Sequence, residues 1–99
     1  MGNQQMAHSL SYCRTAWKSL TAHSEEHKKR LPPEQYAAVE GHLSEAANCW
    51  TIATEALRVQ ASSTVCVNPN EDWRDAVEIF IRRTTNEIRE AKKIVYATE

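Results

Sequence analysis

His23-Ser24-Glu25-Glu26-His27 sets two imidazoles four residues apart, with a carboxylate directly before the second. On a helix His23 and His27 stack one turn apart, a spacing at which two ring nitrogens can share a metal. The letters fit the H-x-x-E-H motif of inverted zinc proteases, but such enzymes are several times longer and need a third ligand and a substrate cleft. A simpler metal site would need His42 or Cys49 to join the pair. The plainer reading is a solvated helix end, because Lys28 and Lys29 follow at once. Metal binding through His23 and His27 therefore stands as the alternative function.

Other reactive groupings are sparse. No Ser, His and Asp set can be assembled, and neither Gly2 nor Gly41 lies in a phosphate-cradling loop. No catalysis and no cofactor are expected. Arg82, Arg89 and Lys93 share a helical face that could grip an anion, but Asp75 borders it and Glu78 is near, as on a solvated salt-bridged surface. Twelve Lys and Arg against thirteen Asp and Glu leave a net charge of −1. Nothing in that balance favours a phosphate backbone, so nucleic acid is not an expected partner. Charge is uneven all the same, at +3 over residues 1–30 and −3 over residues 31–59. Cys13, Cys49 and Cys66 are odd in number and lack C-x-x-C spacing, which points to a reducing cytoplasm. The start of the chain has neither the Ser or Thr that myristoylation wants nor an apolar run, so no export signal and no membrane span are expected.

These residues must be positioned by helices. Met6, Leu10, Cys13, Trp17 and Leu20 recur in steps of four and three, predicting a helix over about 5–30. Lys28, Lys29 and Arg30 suit its carbonyl end, and Leu31-Pro32-Pro33 stops it. Pro33 then opens a second helix over about 33–60, with Tyr36, Val39, Leu43, Ala46, Trp50, Ala53 and Leu57 along one side. Residues 61–68 read as a connector. Asn68-Pro69-Asn70-Glu71 has the geometry of a capping box and predicts a third helix over about 69–97, striped by Trp73, Val77, Phe80, Thr84, Ile88, Ala91 and Val95. Trp17, Trp50 and Trp73, one per helix, read as core anchors. The expected fold is all-α, a single domain made as a three-helix bundle or a helical hairpin with a third long helix, and self-associating.

The second helix carries more apolar surface than one stripe uses. At 100° per residue Cys49, Ile52, Ala56 and Val59 form another seam about 150° from the first. A lone bundle would struggle to bury a seam so far round, and Cys49 could meet its own copy across a two-fold axis. Ile79 points away from the third stripe and adds to the surplus. No motif is long enough to name a family. The expected function is therefore that of a small non-catalytic regulator, adaptor or inhibitor, probing another protein through Cys49, Ile52, Ala56, Val59 and Ile79, and forming a homodimer.

Overall fold

Leu31 is the residue about which the first two helices turn. In the computed structural model, which describes residues 3–62 and 72–97, with side chains for 4–59 and 74–97, three helices pack side by side. They are α1 (Asn3–Glu26), α2 (Pro33–Ser62) and α3 (Asp72–Ala97), and no strand occurs among the described residues. The bundle is a rod of 53 × 18 × 16 Å.

α1 stops four residues short of its expected end. The His27 amide is shared between the carbonyls of His23 and Ser24, at 3.2 and 3.1 Å, and the Lys28 amide reaches back three residues to Glu25. This tightening continues in turns closed by the Arg30 and Leu31 amides on the His27 carbonyl. The cause lies downstream: Pro32 pushes the residue before it out of the helical region, and the turns swing Leu31 into the core. Lys28, Lys29 and Arg30 thus sit on the turn rather than in a last helical turn. Pro33 begins α2 as expected, and the Pro32 carbonyl accepts the Tyr36 amide at 3.0 Å.

α2 runs on through Ala61 and Ser62, which shortens the expected connector. The rest of that connector, the capping box at 68–71 and the Trp73 side chain lie outside the described residues. Within α3 the burial corrects one stripe position. Ile81 is buried, whereas Phe80 is half-buried against the same cluster with the Arg83 guanidinium over its ring, 5.6 Å from the centroid.

Two apolar clusters fill the rod end to end. Near the α1–α2 turn, Cys13, Leu20, Leu31, Val39, Leu43 and Ala46 meet Ile88, Ala91 and Val95. At the other end Met6 and Leu10 meet Ala53, Leu57, Val77 and Ile81. Trp50 packs against both. Buried Thr84 satisfies its hydroxyl on the Phe80 carbonyl at 2.7 Å, so it costs no unpaired group. α2 and α3 lie closely along one another, and α1 rests on the pair more sparsely.

Candidate functional site

The histidine pair closes the end of α1. His23 and His27 have ring centroids 4.4 Å apart, and His27 Nδ1 lies 3.2 Å from the His23 carbonyl oxygen. His27 is buried, and His23 stacks on Tyr96 of α3 at 4.9 Å. The Glu26 carboxylate is 3.9 Å from His23 Nδ1. This is a helix end tied to α3 rather than one wholly in solvent. His42 and Cys49 are drawn elsewhere: His42 Nδ1 lies 2.6 Å from Glu87 Oε2, and the Cys49 thiol faces Glu45 Oε1 at 3.8 Å. Among the described residues no three His, Cys, Asp or Glu side chains come together in a metal-holding group.

The surplus seam of α2 is divided by the fold. Ile52 is 48% exposed and Val59 51%, and on α3 Ile79 is 47% exposed. Ala56 is half-buried on the cluster of Ala53, Leu57 and Val77. Cys49 is only 3% exposed, which corrects the idea that its thiol could meet a second copy. The reason is the close approach of α3, which wraps farther round α2 than a wheel drawn for α2 alone suggests. Burial pushes the Cys49 thiol up from its ordinary pKa, with Glu45 adding to the effect and Arg83 opposing it. Arg83 therefore stands on the α3 side of this seam and Glu45 on the α2 side. Ile79 is one helical turn before Arg83, and Ile52 lies one turn beyond Cys49. Helical spacing thus puts Ile52, Val59 and Ile79 on the outer α2–α3 face, away from α1.

The opposite side of α2 holds a feature that single-helix periodicity did not reveal. Trp17 donates its indole N–H to the Leu43 carbonyl at 2.8 Å, and Trp50 donates to the Leu10 carbonyl at 2.7 Å. Each tryptophan crosses to the backbone of the other helix, so the two rings brace α1 and α2 rather than sink wholly into the core. Between them lies a cavity of about 200 Å³ whose walls include Cys13, Ala46 and Thr84. It shares Arg14 and Trp50 with a wider space of about 570 Å³ towards Gln4 and Arg58, and Trp17 and Ala47 with one of about 340 Å³ towards Glu25 and Glu40. Together they form one groove along the α1–α2 seam. Thr54, in the wide end, has its hydroxyl buried with no hydrogen-bond partner among the described residues. The signal for this groove was the large Trp50 beside small Ala46 and Ala47, facing a second tryptophan on α1.

No described helix is long and apolar enough to cross a membrane. No protein-family model, no curated protein and no solved structure matches this chain.

Proposed function

We propose that this chain is a non-catalytic binding protein, a regulator, adaptor or inhibitor, whose outer α2–α3 face docks onto another protein and first of all onto a second copy of itself. One observation carries the reading: Ile52, Val59 and Ile79 each keep about half of their surface in water on one side of two adjoining helices. Lone exposed apolar residues are ordinary, but three on a shared face form a patch that favours association. The rim adds self-complementarity. With Glu45 on the α2 edge and Arg83 on the α3 edge, a two-fold axis that lays α2 of one copy on α3 of the other sets acid against base. A small chain with a limited core also gains stability from such burial. Cytoplasmic residence belongs to the same proposal, supported by Cys13 and Cys49 standing as free buried thiols.

Sedimentation of the wild type and Ile52→Glu tests it. The wild type should be dimeric at tens of micromolar and the variant monomeric with its helicity kept, because an unpaired charge in an apolar interface has nothing to offset its desolvation. Glu55→Lys, beside the face, should change little. An Ile52→Glu chain with the same mass in solution and the same partner binding as wild type would overturn the proposal.

A further inference from the structure

The α1–α2 groove lies on the other side of the rod from the dimer face and calls for a different occupant. Its central cavity, at about 200 Å³, is too small for a drug-sized ligand, whose pockets usually span about 300 to 1,000 Å³, but it suits a single large apolar side chain. The open spaces on both sides extend that anchor point into a track. From Leu57 to Glu40 on α2 the track is about 25 Å long at 1.5 Å per residue, the length of a helix of four to five turns. An anchor with a long shallow track is the shape of helix-in-groove recognition.

Charge then orients the occupant. Arg14 and Lys18 flank the central cavity, and neither has an ion-pair partner among the described residues. Arg14 lies over the Trp50 ring, 6.0 Å from its centroid, and Arg58 beyond it is paired with Glu55 at 2.8 Å. At the far end Glu25 and Glu40 dominate. Both carboxylates push the Tyr36 phenol up, after burial itself, and Lys28 sits over the Tyr36 ring at 5.4 Å. The groove thus runs from basic to acidic in the direction of α1. A helix with acidic first turns and basic last turns, the arrangement its own macrodipole favours, matches this gradient when it lies parallel to α1.

We propose that the α1–α2 groove binds one amphipathic α-helix of a partner protein, which runs parallel to α1, carries Asp or Glu in its first turns and Lys or Arg in its last, and inserts a bulky apolar side chain between Trp17 and Trp50. Docking completes a four-helix arrangement and covers the half-buried tryptophans.

Calorimetry with the full chain and two synthetic helical peptides of about 18 residues tests this. Both peptides carry the same apolar face with a central Phe; one has Glu in its first turns and Lys in its last, and the other is charge-reversed. The first should bind at least about ten-fold more tightly, and Arg14→Glu with Lys18→Glu, at exposed positions that leave the fold intact, should erase or invert that preference. Ala47→Trp should fill the track and abolish binding, whereas Ile52→Glu on the dimer face should leave it unchanged. Equal affinity for the two peptides, or binding of neither, would overturn the proposal. Saturable binding of decanoate that excludes the first peptide would assign the groove to small apolar anions instead. Loss of the dimer on Ala47→Trp, with the fold retained, would assign it to a second copy.

Discussion

α2 is the shared wall of two seams that close to different degrees. Towards α3 it presents the small residues Cys49, Ala53 and Ala56 over the stretch where antiparallel α3 supplies Val77 and Arg83, and the two helices pack closely. Towards α1 it presents Leu43, Trp50 and Leu57 against Leu10, Trp17 and Leu20, and a groove remains. Interaxial distance follows the side chains at the contact, so small residues draw helices together while indoles hold them apart. The tryptophans also lock that separation, because each N–H is already spent on a carbonyl of the facing helix. Apolar content is high on both sides. Residue size, more than hydrophobicity, decides which seam seals and which stays open.

The sharpest way to break this contrast is to place one substitution on each side of α2. Ala53→Glu buries a charge in the closed seam and should destabilise the fold by about 3 to 5 kcal/mol. Ala47→Glu, half-buried beside the open groove, lets the carboxylate reach water and should cost about 0.5 kcal/mol. Urea titrations of both variants provide the measurement; equal losses would mean that the two seams are alike. A smaller effect is expected at the brace. Trp50→Phe keeps most of the ring but removes the donor to the Leu10 carbonyl, which retains its helical partner, so the loss should be about 1 kcal/mol. A loss no greater than that of a surface substitution would show that the indole N–H does not hold the helices in place.

Much of the buried core could be read from periodicity. The stripes placed Met6, Leu10, Cys13 and Leu20 of α1, and Val39, Leu43, Ala46, Ala53 and Leu57 of α2, where the structure buries them. Periodicity works there because the buried residues of each helix recur in steps of three and four towards the shared core. It misplaced Phe80 because Val77-Phe80-Thr84 and Val77-Ile81-Thr84 are equally good three-and-four spacings. The choice between them depends on where α1 and α2 stand around α3, which α3 alone does not encode. Cys49 failed for the same reason, since how far α3 reaches round α2 depends on the small residues of both helices. α1 ends before Lys28, Lys29 and Arg30 because the backbone restriction that Pro32 imposes on Leu31 outweighs the favourable placing of those cations at a helix carbonyl end. The groove left no stripe to read. It is a space between helices, and its only trace in the sequence is the pairing of Trp17 and Trp50 with small neighbours.

Native-state hydrogen exchange tests the contrast between the seams most directly, because it resolves how each helix opens on its own. If α2 and α3 form the closed pair and α1 is braced across an open groove, amides of residues 10–20 in α1 should exchange through local openings of lower free energy than amides of 46–53 in α2 and 84–91 in α3. Protection equal in all three helices, or greatest in α1, would contradict the account.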